Sequence, residues 1–481
     1  MRKATVLFIA FMTITALSAC GASQQEATVF SAQNVMNAAY SDEALGLDYE
    51  VPSATPAIKV DQVGYLPGAE KRVIFTGAHT PETFDVVNLE TQETVFTGTV
   101  TGRGSESAFG MFTELETEGT YFIRADVIGY SYAFTIAEDV YENALQQALK
   151  QFYLNRCGTS ITEQYAQEAA HSVCHTTPAK LQEEAGKTMD VTGGWHLDAR
   201  LNRTVTEGCR VVDQMLLAYE LNPEGFESTT EIPESGNEIP DLLDEAYYEV
   251  RWLLKMQDEA TGGVYGAVMT DVEEGGNAMM AGCVVAPITT EATVSFASTL
   301  AHFSYLYQAY DEEVATTCLQ AADKAFRLYR AAPDTAGKSG GFHAACELYR
   351  ATGAKRYADV IDTYFQEDAY LEALTTDDDY FFGAVAYLST AGDVNTEACA
   401  SMMDALMNAS RGIAEEALSS PYLVAGDDAS SILHKMRTLA VANHILYNHE
   451  YKTIITNHAH YLMGCNEHAV NYVTDDGEYT Y

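Results

Sequence analysis

Positive charge is scarce in this chain of 481 residues: 27 Lys and Arg stand against 69 Asp and Glu, a formal net charge of −42. A field of that sign repels phosphate backbones and excludes nucleic acid as a partner. A neutral ligand such as a glycan is compatible with it, and diffuse acidity of this kind also serves solubility. Tryptophan is scarcer still, with only Trp195 and Trp252. After the first twenty residues no apolar run is long enough to span a bilayer. Closely paired cysteines are missing too. Cys209, Cys283, Cys318, Cys346, Cys399 and Cys465 stand singly, without the spacing of a disulfide framework, and read as buried thiols. What is present is apolar bulk, 47% of the residues, in a length that accommodates two or three domains.

The first residues read as an export signal: Arg2 and Lys3, an apolar run from Ala4 to Ala16, then "LSAC". Small residues before a cysteine, followed by Gly21, resemble a bacterial lipobox, which makes Cys20 the expected lipidated residue. The polar, Pro-terminated stretch 21–55 then reads as a flexible tether. An exported protein, lipid-anchored to the bacterial cell surface and touching the membrane through that anchor only, is the expectation.

From Ile58 to about Ala137 the pattern is short and alternating: "RVIFTG", "TFDVVNL", "ETVFTGTV", "TYFIRADV", "YSYAFTIA". Turn residues separate these runs, which predicts a small antiparallel β-sandwich over 56–138. After Tyr141 the period becomes helical. "PDLLDEAYYEVRWLLKMQ" puts Leu242, Leu243, Ala246, Val250, Leu253 and Leu254 on one face, and "VATTCLQAADKAFRLYRAA" does so with Val314, Cys318, Ala321, Ala325 and Leu328. Around ten such segments, without intervening strands, predict stacked helical hairpins over 139–481.

These segments resemble a known family. "IKVDQVGYLPGAEKRVIFTG" and "GTYFIRADVIGYSYAFTIAEDVY" are similar to the first and last strands of the immunoglobulin-like domain that precedes many family 9 glycoside hydrolases. "FYLNRCG", "HSVCH", "DVTGGWH", "LLAYELNPEGF", "SGNEIPDLLDEAYYEVRWLLKMQD", "TTEATVSFASTLA" and "YLMGCNEHAVNYVT" follow in that family's order. The resemblance implies a multidomain chain: an N-terminal immunoglobulin-like β-sandwich followed by an all-α (α/α)6 barrel. It also implies inverting endo-β-1,4-glucanase activity on cellulose or a related polysaccharide.

Inversion needs two carboxyl groups about 6.5–9.5 Å apart, one ionised and one protonated. The family carries its base in an Asp-Ala-Gly-Asp loop directly after "GGWH". Aligned without a gap, those two aspartates fall on Leu197 and Arg200, and neither side chain can act as a base. Asp198 is the remaining acid, as a candidate base after a one-residue slip or as a local cap or partner of Arg200. The family's acidic Asn-Glu segment lies beyond the equivalent of "NYVT", where this sequence reaches Tyr481; Glu467 belongs to an earlier motif and Glu478 comes too early. Other departures are "GGVYGAVMT", with Gly266 and Ala267 in place of a His and a Lys, and "AGDD" at 425–428. Trp195 is the candidate sugar platform. A non-catalytic glycan-binding or scaffold lipoprotein is therefore the alternative to a glucanase.

Cys157, Cys174, His175 and His196 make a natural four-ligand zinc set of the closed, structural kind. Relatives with this immunoglobulin-like domain carry zinc near these positions, so the resemblance implies it here. A Cys157–Cys174 disulfide competes, as does His171 as the fourth ligand. Calcium is possible by the same resemblance: "SGGFHAACELYRATG" keeps Glu347 but not the acidic pair before it. His302, His434 and His444 read as core or helix-surface residues.

Overall fold

The computed structural model describes residues 49, 51–52, 55–77, 79–102, 107–184, 186–227, 230–272, 276–332 and 337–473. Cys20, the export segment, most of the tether and Glu478 lie outside these residues. Among them two compact units form. One holds the residues up to Ala148 together with those from Ser410 on, and the other holds Leu149–Ala409.

In the first unit, nine short strands run in the spatial order Ile58–Lys59, Arg72–Thr76, Ser107–Met111, Thr94–Thr101, Thr83–Asn88, Gly119–Ala125, Phe134–Ile136 and Gly64–Tyr65, with Gly129–Tyr130 beside Gly119–Ala125. The eight-residue strand Thr94–Thr101 pairs with Thr83–Asn88 along its length and with Ser107–Met111 at its end, so it joins the two faces. Between them Val73, Phe75, Phe84, Val86, Tyr121, Ile123 and Phe134 form one apolar core. Phe84 fits only because its neighbours lack side chains: a Cβ at Gly98 or Gly110 would stand 2.4 or 2.2 Å from its ring. The helices Ala429–Ile445 and His449–Leu462 belong to the same unit. His460 Nδ1 meets the buried carboxylate of Asp61 at 2.7 Å, and Gln62 N–H donates to the Met463 carbonyl, so the sandwich is stitched to the last helix. "AGDD" forms the turn before Ala429–Ile445, where Asp428 and Ser431 close a capping box.

In the second unit the helices Val205–Leu221, Thr290–Tyr307, Lys338–Thr352 and Asp378–Leu388 are buried over most of their residues. They alternate in sequence with Asp241–Lys255, which is also mostly buried, and with Glu312–Ala331 and Lys355–Tyr364, which bury only a minority of their residues. This is the inner and outer alternation of helical hairpins. On Glu312–Ala331 the expected face is rotated: Ala315, Cys318, Ala322, Ala325, Phe326 and Tyr329 are buried, whereas Val314, Ala321 and Leu328 are only partly so. Two aromatic rings bury more apolar area than Val and Leu and decide the phase.

The expectation of no strands among the helices is corrected. Thr188–Met189, Ala179–Leu181, Gly282–Val285, Ala267–Asp271 and Arg203–Thr204 form a five-stranded sheet, and Val264–Tyr265 pairs with Ile288–Thr289. "GAVMTD" and "GCVV" pair as an antiparallel ladder, Val268 opposite Val285 and Asp271 opposite Gly282. Each strand is too short for its period to stand out beside the helical runs.

Candidate functional site

The loop 190–203 is held from several sides within the second unit. Gly193 and Gly194 have φ of +112° and +77°, and a Cβ on Gly194 would stand 2.7 Å from the Trp252 ring, so only glycine fits there. Arg156 and Trp195 form a β-bridge, with Cys157 N–H donating to the Gly194 carbonyl and His196 N–H to the Asn155 carbonyl, both at 2.8 Å. This pairing sets Cys157 beside His196. Glu245 and Glu249, one turn apart on Asp241–Lys255, grip Trp195: Glu245 accepts from the indole N–H at 2.7 Å and Glu249 from the backbone N–H at 2.8 Å. Burial pushes the Glu249 carboxyl up to about 8 against the backbone bond that opposes it. Buried Arg203 donates to the Gly193 carbonyl at 2.7 Å, and Arg156 is clamped between Glu245 and Glu234 at 2.8 and 2.9 Å.

Cys157, Cys174, His175 and His196 converge, all four buried, with one donor atom from each lying within 4.8 Å of the others. Sγ–Sγ is 3.8 Å, Cys157 Sγ to His175 Nδ1 3.4 Å, Cys174 Sγ to His196 Nε2 3.6 Å, and His196 Nε2 to His175 Nδ1 3.4 Å. A tetrahedral ion at ordinary thiolate and imidazole bond lengths spaces two sulfurs by about 3.8 Å, two nitrogens by about 3.4 Å and a mixed pair by about 3.5 Å. The donors thus fit a metal closely. The second nitrogen of His175 faces the Ala278 carbonyl at 2.9 Å, the backing that orients a metal-bound imidazole.

Electrostatics favour the ligating forms of Cys174 and His196. Hydrogen bonding with Cys157 and with both imidazoles holds Cys174 far below the usual thiol range. Sharing that bond and being buried push Cys157 up. Burial lowers His196 and keeps it neutral. The competing disulfide is not formed: both thiols are free and 3.8 Å is nearly twice an S–S bond of about 2.05 Å. His171 stands outside the cluster, its Nδ1 against the Ser172 carbonyl.

Leu197 and Arg200 differ sharply in setting: Leu197 is buried, and Arg200 is exposed with its guanidinium 3.5 Å from the Val272 carbonyl. Asp198 lies between them, half-buried. Its Oδ1 accepts from the backbone N–H of Arg200 and Asn202 at 2.9 and 3.0 Å, and its Oδ2 from the Asn202 side chain at 2.8 Å. The carboxylate closes a turn; it neither pairs with the Arg200 guanidinium nor caps the helix, which begins at Val205 behind Thr204. Trp195 is fully buried, which takes it out of reach of a sugar in this structure.

A second polar cluster was not legible as such. His302 Nε2 meets Glu220 at 2.9 Å, while its Nδ1 stands 3.5 and 3.7 Å from Asp213 and Glu347. His343 lies between Asp379 at 3.2 Å and Glu347 at 3.8 Å, and Arg350 joins Glu347 to Glu220 at 2.8 and 2.6 Å. Glu347 is thus an ion-pair partner of Arg350 and the two imidazoles. Among the described residues, the four Cys and His donors form the group that satisfies a metal's geometry. The spacing His343, Glu347, Arg350 on one helix face was the available signal. What the sequence withheld was that Val205–Leu221 and Thr290–Tyr307 add Asp213, Glu220 and His302 to it.

The model of "Glycosyl hydrolase family 9" matches residues 141–480, and that of "Cellulase N-terminal ig-like domain" matches 53–129. Endoglucanase D of Acetivibrio thermocellus is 28% identical over 87% of this chain and 73% of its own length. A single-mutant thermostable endoglucanase from Alicyclobacillus acidocaldarius superposes with a TM-score of 0.76 at 26% identity, covering 88% of this chain and 84% of that one. A Zn-binding triple mutant of a family 9 endoglucanase gives 0.75 at 26% identity, over 85% and 83%.

Proposed function

Because the chain belongs to glycosyl hydrolase family 9, with an N-terminal immunoglobulin-like domain ahead of an (α/α)6-type helical domain, we propose that it engages β-1,4-glucan as a binding protein that does not hydrolyse it. The loop after "GGWH" carries this reading. At the two positions where the family resemblance places aspartates stand a buried Leu197 and a cationic Arg200, and the one nearby carboxylate, Asp198, uses three of its roughly four acceptor positions in a turn, which holds it in place as a structural group. A general base must hold a lone pair free for the attacking water. Leu197 has none, and Arg200 stays protonated.

Zinc is the metal we assign to Cys157, Cys174, His175 and His196. Four protein ligands with no open position make it structural, a staple that fixes the ends of the 157–196 segment rather than a Lewis acid. We assign the chain to the cell surface on the lipobox-like "LSAC", with Cys20 as its anchor; Cys20→Ala should move the protein from the membrane fraction to the soluble one. The glucan reading is tested by retardation of purified protein in gels containing soluble β-glucan, with reducing ends measured in parallel. Retardation without new reducing ends is expected. Hydrolysis that Asp198→Ala abolishes would instead show a working enzyme with a shifted base.

A further inference from the structure

Basic side chains are so rare here that their clustering calls for a cause. Three of the 27, Arg327, Arg330 and Arg356, ring one cavity of about 420 Å³ between Glu312–Ala331 and Lys355–Tyr364. Phe326, Ala331 and Val360 give it an apolar wall. Among the described residues a single acid lines it, Asp323, and both its oxygens are engaged: one pairs with Arg327, the other accepts from Arg356 Nη2 at 3.3 Å and from the Tyr357 hydroxyl. Among the described residues Arg330 is exposed and has no carboxylate partner.

Ordinary helix chemistry accounts for part of this. Arg327 follows Asp323 by four residues, and Arg330 sits in the last turn, where a cation is favoured. Neither explains why Arg356 reaches from Lys355–Tyr364, across the Tyr357 ring, to a carboxylate that already has a partner. Three guanidiniums against one carboxylate leave the cavity cationic in a chain of net charge −42. Asp323 holds one Nη of Arg327 and of Arg356, which orders both forks while their remaining N–H groups stay available.

We propose that this cavity binds a carboxylated sugar, with the uronate group on the arginine forks and the ring against Ala331 and Val360. A planar carboxylate matches the guanidinium fork, and a pyranose supplies the apolar C–H face that inorganic anions lack. That the carboxylate arrives on a sugar rests on the family reading above; that the cavity takes a carboxylate does not.

Titration calorimetry of the full chain with glucuronate, glucose and inorganic phosphate tests it, at low and at physiological salt. Glucuronate should bind more tightly than glucose or phosphate and weaken as salt rises. Arg330→Ala and Arg356→Ala should each lower its affinity by roughly tenfold, while retardation in neutral β-glucan gels stays as in the parent. Equal binding of glucuronate and glucose, no loss in either variant, or phosphate binding as tightly as glucuronate would each overturn the proposal. Because the neutral-glucan gel is read separately, loss of glucan binding by the parent chain would count against the function proposed above and not against this site.

Discussion

His302 offers the sharpest perturbation in the second unit, because its charge is held by three carboxylates from two other helices. Burial alone would lower its pKa. The Glu347 charge and the bonds to Asp213 and Glu220 outweigh that and push it up to about 9. A folded pKa above the ordinary 6.5 contributes stability that is fully present below 6.5 and is lost as pH rises through 9. At about 1.4 kcal/mol per pH unit, the contribution is on the order of 3 kcal/mol. His343, pushed up to about 10 by Asp379 and Glu347 against its own burial, extends the same loss to higher pH. Glu347, which burial would raise, is drawn down to about 2 by Arg350 and His302, so its contribution is present above 4.5 and falls away below. The unit should therefore be most stable between about pH 4.5 and 6.5. His302→Gln should cost about 3 kcal/mol at pH 6, and the gap should close by pH 10. Both tryptophans, Trp195 and Trp252, lie in this unit, so their fluorescence in urea titrations reads it directly. A gap between parent and variant that is the same at pH 6 and pH 10 would refute the imidazolium as the network's keystone.

Three further outcomes follow from the loop and its supports. Cys174→Ala should lose one equivalent of zinc by elemental analysis and melt earlier, and a chelator should lower the parent's melting temperature toward the variant's. Glu249→Gln should be near neutral at pH 4.5 and increasingly stabilising up to pH 8, by at most about 1.4 kcal/mol per unit, because the buried carboxyl resists ionising. Gly194→Ala should destabilise by on the order of 2 kcal/mol or more in urea and weaken zinc retention, since its φ is +77° and the Trp252 ring occupies the space of a Cβ.

Periodicity made much of the architecture legible. Alternation marked the strands of the sandwich, and the 3.6-residue period marked Asp241–Lys255 with its buried Leu242, Leu243, Ala246, Val250 and Leu253. It misjudged the phase of Glu312–Ala331, because hydropathy counts Leu328 and Tyr329 without asking which buries more. Two-residue strands such as Arg203–Thr204 carry no period at all. At the site, ligand chemistry brought Cys157, Cys174, His175 and His196 together on paper, and the fold places them within bonding reach of one ion. Trp195 misled in the other direction. An aromatic next to a turn suggests a platform, but the two glycines before it fold the indole inward onto Glu245. The partners of buried charges, such as Glu245 for Arg156 and His302 for Glu220, are 89 and 82 residues apart. No local pattern encodes such pairs.

The central claim, a family 9 fold that holds β-glucan without cutting it, meets its most direct test in the reducing ends released from soluble β-1,4-glucan by the zinc-loaded full chain. No release above the Asp198→Ala control, together with retardation in the glucan gel, is the predicted result. Release by the parent that the Asp198→Ala chain lacks would contradict it and would assign the base to the turn between Leu197 and Arg200.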